Sequence, residues 1–582
     1  MKLNRKNLFQ IFQIWKRSRV VKTTKSPPLW IGAFRHWVYG FALLSLFFII
    51  FESGMQWRLP SFIRTISLIV DYIVILLFIL DAFLTFYYSV PKQDYFRKNW
   101  MDILVLLPIV MHLIPVRTIT GLVIFRYFIV LFKIFTRSRK FSGILRKIRL
   151  NTAQIIAISF IITISIGTIL LTFPTATADG LGTPFLDAVF TATSATCVTG
   201  LIVRDTPTYF SQFGQIVILI LIQLGGLGIM TYSAFVAIII GRFTLDQRKL
   251  IQEMFEEERN VYNTILYIFK MTITIELAGA LLLFLRWHFY FRDTGKTIYF
   301  SIFHAVSAFC NAGFSLFSDS LVRFASDPFT NITIGSLIVA GGIGFIVVYE
   351  VSNLIRGRRR TLSPHSKLVL STSLALLLIG FISIFYLEFD GVLIHQSFIS
   401  KVFSSMFQSI TARTAGFNTV PVNALKEVTL SVLIVLMFIG ASPGSTGGGI
   451  KTSTFAVLFL SVRSIIRGDA RISAFNRTIP NHQIRKAIAL LILAISLIFL
   501  VFMILLMTEK KPYVQLLFEA TSAFGTVGLS TGITPDLSNS GKMLIIILMY
   551  MGRIGPLTMG LALTREMIKG RIDYPEARIL IG

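Results

Sequence analysis

Four short loops carry residues suited to holding a bare cation. The first reads Thr193-Ser194-Ala195-Thr196-Cys197-Val198-Thr199-Gly200, and relatives of it end at Gly313 (S-A-F-C-N-A-G), Gly416 (T-A-R-T-A-G) and Gly528 (S-A-F-G-T-V-G). The glycines stand 113, 103 and 112 residues apart, the long-period recurrence that marks one structural unit copied along a chain. What such loops offer an ion is backbone carbonyl oxygen. Four of them around one axis would make a ring that replaces an ion's water, which is the chemistry of a selectivity filter.

Glycine at the ring position permits backbone angles that turn carbonyls inward, where a side chain would interfere. The candidate cation-binding residues are Thr196, Cys197, Val198, Thr199 and Gly200; Cys310, Asn311, Ala312 and Gly313; Arg413, Thr414, Ala415 and Gly416; and Gly525, Thr526, Val527 and Gly528. A glycine that merely closes a short helix would explain one such loop better than four at matching places. The two cysteines, Cys197 and Cys310, stand where the other loops have Arg413 and Gly525. They cannot make a disulfide framework and read as small filter-wall residues. His304 and Glu519 occupy matching places behind their loops and read as structural support.

The elements that must position these loops are membrane helices. Of 582 residues, 54% are hydrophobic and only 14% charged, against about a quarter charged in soluble domains. The net charge of +28 comes from Lys and Arg gathered in a few short loops, a positive-inside bias, and does not require a nucleic-acid partner. No cleavable signal peptide is evident, the first 25 residues being basic without an apolar core. Neither a phosphate-cradling motif nor a catalytic or metal-spaced set of side chains is present, so the chain does not read as an enzyme.

From Asn151 the chain reads as four units of outer helix, short half-helix, glycine loop and inner helix, over residues 151–260, 261–362, 363–480 and 481–582. The half-helices are expected near Pro184–Ala195, Thr297–Phe309, Ser397–Thr411 and Tyr513–Ala523, and the inner helices near Phe213–Gly241, Thr330–Leu354, Val428–Ile466 (broken in the middle) and Lys542–Ile568. Each unit starts and ends on one side, marked by the basic stretches Arg242–Lys249, Arg356–Arg360, Arg463–Lys486 and Arg565–Arg578, so both termini are expected in the cytosol. Half-helices ending at the pore centre favour a cation there through their dipoles.

The break in the third inner helix is Gly440-Ala441-Ser442-Pro443-Gly444-Ser445-Thr446-Gly447-Gly448-Gly449. Pro443 removes a donor and clashes with the preceding turn, and five glycines leave the backbone flexible, so an intramembrane loop in the conduction path is expected. Lys451 is expected to pair with a carboxylate or carbonyl at its exit. Gly225, Gly226, Gly341 and Gly342 read as sites of close helix packing.

Residues 1–150 form a separate block: a basic N-terminus and four spans near Trp37–Phe51, Ile66–Tyr88, Trp100–Leu113 and Ile119–Phe135. It loosely resembles the four-helix voltage sensor of cation channels. However, Arg126 and Lys133 are too sparse for a charge-carrying helix and are expected to pair with Asp71, Asp81 or Asp102.

From Asn151 onward the chain resembles the Trk/Ktr/HKT superfamily of potassium transporters, and within it the Ktr/Trk membrane subunits. T-A-R-T-A-G-F-N at Thr411–Asn418, P-E-A-R-I-L-I-G at Pro575–Gly582 and the four loops carry the likeness. The resemblance implies an all-α polytopic protein of the cell membrane with four pore repeats around a central path. It implies potassium as the transported ion, since a serine at the first ring glycine goes with sodium preference in this superfamily. It further implies a gate formed by Gly440–Gly449 with Arg553 as a positive barrier and hydrogen-bond donor, a homodimer in lipid, and a cytosolic Rossmann-type ring carrying the regulatory nucleotide. That ring would dock on the basic face, including Arg356–Arg360 and the tail. Competing readings are a sodium-permeable, sodium-coupled or sodium-activated transporter, and the ion-binding subunit of a P-type ATPase complex. Gly200→Ser is expected to move the ratio of potassium to sodium uptake about tenfold towards sodium, the effect of ~1.4 kcal/mol at one site, measured in cells lacking their own potassium uptake.

Overall fold

A computed structural model describes residues 61–88, 152–240, 261–469 and 471–563, with residue 106 and a few positions between 34 and 48. The expected third and fourth N-terminal spans (Leu106 apart), Asp102, Arg126, Lys133, the basic stretch Arg242–Lys249 and the tail from Arg565 lie outside the described residues. Contacts fall into two compact units, Met1–Gly143 and Ile144–Gly582. In the first, helix α1 (Ser61–Tyr88) packs Val70, Val74 and Phe78 against Val38 and Ala42. Its buried Asp71 accepts a 2.6 Å hydrogen bond from the Ser45 hydroxyl.

The second unit holds four copies of one motif. The outer helices are α2 (Thr152–Leu171), α5 (Val261–Trp287), α9 (Pro364–Glu388) and α13 (Asn481–Thr508). Each contains a stretch long and apolar enough to cross a membrane. Outward side chains such as Ile162, Leu281, Ile382 and Phe499 are exposed and apolar, as a lipid-facing rim requires. The half-helices are α3 (Phe185–Thr196), α6 (Thr294–Phe309), α10 (Phe398–Thr411) and α14 (Tyr513–Gly525). Local signals start them: Pro184 and Pro512 precede the first turns of α3 and α14, and Ser397 caps α10. Helix α6 begins one turn earlier than expected, because the Asp293 carboxylate accepts from the amides of Gly295 (2.9 Å) and Lys296 (3.1 Å).

The inner segments depart most from the sequence reading. Only the third was expected to break, and all four do. The first, α4 (Gln212–Ile240), is kinked at Gly228 (φ 61°, ψ −154°). The second is split at Gly344 (φ 100°, ψ 141°) into α7 (Pro328–Ile343) and α8 (Phe345–Ile355), bent by 108°. The third is α11 (Glu427–Phe438) and α12 (Thr452–Arg467), and the fourth is α15 (Asn539–Ile554) and α16 (Pro556–Leu563), parted at Gly555 (φ 91°). A positive φ cannot continue a right-handed helix and is inexpensive only for glycine, so Gly228, Gly344 and Gly555 are bends.

Each inner segment packs on the half-helix of the next copy: α4 on α6, α7 on α10, α11 on α14, and α15 back on α3. The fourth copy therefore closes on the first, reinforced by Tyr550, whose hydroxyl donates to the Ala157 carbonyl (2.8 Å), and by Lys542 paired with buried Asp187 at 2.8 Å. Lys542→Met leaves Asp187 with Arg204 as its remaining ion-pair partner, at 2.8 Å. Removing one member of a largely buried pair should cost about 2–3 kcal/mol, read as earlier thermal unfolding of the detergent-solubilised protein.

Candidate functional site

The four loops meet in a ring. A Cβ placed on Gly313 would lie 2.8 Å from the Ala415 carbonyl oxygen, and one on Gly416 2.6 Å from that of Val527. Cβ atoms on Gly200 and Gly528 would strike the carbonyl oxygens of Ala312 and Thr199. The contacts thus run from copy to copy and return to the first. The backbone alternates in each loop: φ is positive at Val198, Asn311, Thr414 and Thr526 (57°, 60°, 75° and 50°) and again at the four glycines, but not at the residue between them. Alternating hand turns successive carbonyls to one side of the chain, the arrangement a carbonyl-lined filter uses. Three of the four strained non-glycine positions are β-branched, where a positive φ is a true outlier held only by its surroundings.

Those surroundings start with a serine six residues before the glycine in three copies, which sequence reasoning missed although the offset is constant. Ser194 and Ser522 accept from the amides of Gly200 and Gly528 (both 3.1 Å), while Ser307 donates to the Phe314 carbonyl at 2.7 Å. The third copy has Ile410 at that place. His304 and Glu519 hold the chain leaving the ring. His304 Nε2 lies 3.0 Å from the Ser315 hydroxyl, and Glu519 accepts from Ser530 (2.6 Å) and the Thr531 amide (3.0 Å). The residues three before the glycines turn their side chains outward. Cys310 Sγ is 3.8 Å from both Gln223 and Glu276, Cys197 packs with Phe160 and Phe190, and Arg413 reaches the Ser373 carbonyl of α9 at 3.2 Å. Only their backbone remains in the loops.

Close helix approach sets the ring's walls. A Cβ on Gly225, Gly341 or Gly552 would strike the last half-helix carbonyls, those of Thr196, Phe309 and Phe524. Cys310 Sγ occupies the space a Cβ on Gly226 would need.

The segment between α11 and α12 crosses against this ring on the side of the residues that precede the glycines. It folds back on itself through Ala441 N–H to Gly448 O and Ile450 N–H to Phe438 O, both 3.3 Å. The second copy receives it: Ser442 and Thr446 amides donate to Gly342 (3.0 Å) and Gly341 (3.2 Å), Phe345 N–H to Gly444 O (2.9 Å), and the Thr446 hydroxyl to Phe309 O (3.2 Å). From the fourth copy, buried Arg553 donates to the Thr446 carbonyl and also to Gly225 of the first. Lys451 takes the carbonyl alternative, donating to Gly447 at 2.7 Å, and Arg413 donates to Gly440 at 3.4 Å. Pro443, Gly444, Ser445 and Gly449 complete the segment, with φ positive at Gly444 and Gly449. The second, third and fourth copies touch it, and Arg553 links it to Gly225 of the first.

The chain belongs to the TrkH family of cation transport proteins, which matches residues 121–572. Among its relatives is the Ktr system potassium uptake protein B of Bacillus subtilis, 41% identical over 75% of this chain and 98% of that protein. The potassium/sodium uptake protein NtpJ of Enterococcus hirae is 38% identical over the same shares. The crystal structure of the potassium transporter TrkH from Vibrio parahaemolyticus has the same fold, with a TM-score of 0.61 at 18% identity, covering 79% of this chain and 95% of that one.

Gly552→Ala puts a methyl into the Phe524 carbonyl and should destabilise by about 3 kcal/mol, the upper range of overpacking, with loss of transport. Gly560→Ala, whose Cβ would meet nothing within 4 Å, should change neither. Thermal unfolding and rubidium uptake of the pair check this.

Proposed function

We propose that this chain takes up potassium across the cell membrane through the glycine ring, which acts as its selectivity filter. The observation that carries the reading is the closed ring of Gly200, Gly313, Gly416 and Gly528 with alternating backbone hand. Carbonyls fixed in that ring replace the hydration shell of a dehydrated cation, and the half-helices, ending at the loops, set their negative dipole ends towards it. The proposed ligands are the carbonyls of Val198–Gly200, Asn311–Gly313, Thr414–Gly416 and Thr526–Gly528.

The segment Gly440–Gly449 is the proposed gate. It lies across the path, and Arg553 both holds it and places a positive charge there. Lys451 fixes its exit. Control comes from a cytosolic Rossmann-type ring carrying a nucleotide, seated on the basic face that includes Arg356–Arg360. The chain works as a homodimer in lipid with both termini in the cytosol. The name of the Enterococcus relative, a potassium/sodium uptake protein, favours a second reading in which sodium also passes.

Arg553→Gln should raise basal rubidium uptake several-fold in cells lacking their own potassium uptake, without the ring subunit, because a neutral side chain neither holds Thr446 as firmly nor repels cations. Uptake unchanged in Arg553→Gln would remove the gate assignment. Absence of uptake in the wild type even with a ring subunit supplied would remove the transport reading. Running the assay with and without sodium separates the two readings.

A further inference from the structure

The gate segment is held by the filter itself as well as by helices around it. The buried Thr526 hydroxyl, two residues before Gly528, accepts from the Gly448 amide at 2.9 Å. Arg413, three residues before Gly416, donates to the Gly440 carbonyl. Gly440 and Gly448 face each other across the fold of the segment, where a Cβ on Gly440 would strike the Gly448 carbonyl. Thr414 completes the contact: a Cβ on Gly447 would meet its hydroxyl, and its neighbour Asn311 pairs with that same hydroxyl at 3.3 Å. With the Asn311 amide turned to suit its surroundings, its nitrogen donates to the Ile338 and Ala308 carbonyls, and its oxygen accepts from Thr414.

Of the side chains two before the glycines, those of Thr414 and Thr526 therefore reach from the filter to the gate. Both residues hold a positive φ that a β-branched side chain resists, so the filter backbone there depends on its neighbours. In the first copy the same place holds Val198, which has no hydroxyl and packs towards Gly225.

We propose that Thr526, assisted by Arg413, couples gate to filter: displacing Gly440–Gly449 breaks their hydrogen bonds and loosens the third and fourth filter loops, so ion selectivity depends on the state of the gate. This deepens the gate reading above and rests on it. Thr526 is a positioning residue here, acting through the gate backbone and its own loop.

The test is Thr526→Val, which removes the acceptor and keeps the shape. The substitution is sterically acceptable, since Val198 sits at the same register with φ 57°. In full-length protein reconstituted in liposomes, Thr526→Val should raise basal potassium flux and lower the potassium-to-sodium flux ratio together, each about fivefold, the effect of one hydrogen bond. Thr526→Ser keeps the acceptor and should restore both. Arg553→Gln, measured alongside, reports on the gate alone. Flux raised by Thr526→Val at an unchanged ratio, or no change while Arg553→Gln raises flux, overturns the coupling and leaves the gate standing. No change in either variant overturns the gate reading and the coupling with it. Should Thr526→Val fail to fold, Arg413→Gln, which weakens the hold on Gly440, provides the same two readings.

Discussion

The structure depends on one constraint: at membrane depth a backbone N–H or C=O has no water to turn to, so every stretch that leaves the helix must find partners inside the protein. Among the described residues of the second unit, five such stretches stand out, the four glycine loops and the segment between α11 and α12. Their polar groups draw on a repeated set of donors and acceptors. Ser194, Ser307 and Ser522 serve the loops, while Gly341, Gly342 and Phe309 offer carbonyls to the crossing segment. In the proposed filter, the carbonyls of the ring are what this arrangement leaves for an ion.

The same constraint explains why the inner helices are broken. A continuous helix could not both line the ring and leave room for a segment crossing beside it. Gly344 shows the solution. It ends α7, lies next to the Pro443 carbonyl, and lets Phe345 donate to Gly444 as α8 departs at 108°. Glycines also let helices come within backbone distance of the half-helix ends, where even one methyl would collide with Thr196, Phe309 or Phe524. Packing of this kind replaces the hydrophobic effect, which gives helices little reason to associate in lipid.

Buried cations take an unusual part. Arg413 and Arg553 are buried and Lys451 is half-buried, and each donates to backbone carbonyls of the crossing segment. A carbonyl holds a guanidinium less firmly than a carboxylate would, which suits the proposed gate. Carboxylates are used where permanence is needed. Asp187 ties the first copy to the fourth through Lys542, and Glu519 fixes the chain that leaves the fourth loop.

Much of this was legible in the sequence. The fourfold recurrence, the half-helix starts at Pro184 and Ser397, and the loss of helix around Pro443 all follow from local spacing and backbone chemistry. The breaks at Gly228, Gly344 and Gly555 were not legible, because a glycine in a helical pattern is equally a packing site, and only the neighbour that needs the space decides. Arg413 shows the same limit: its place in the loop motif suggested a filter residue, and its side chain turns instead to Ser373 and Gly440, partners 40 and 27 residues away. The sequence determined the repeating unit and the residues able to form a ring, since those depend on near neighbours. The tertiary structure alone decided which copy touches which and which carbonyls each buried cation holds, because those depend on contacts between chain segments as distant as Arg553 and Gly225.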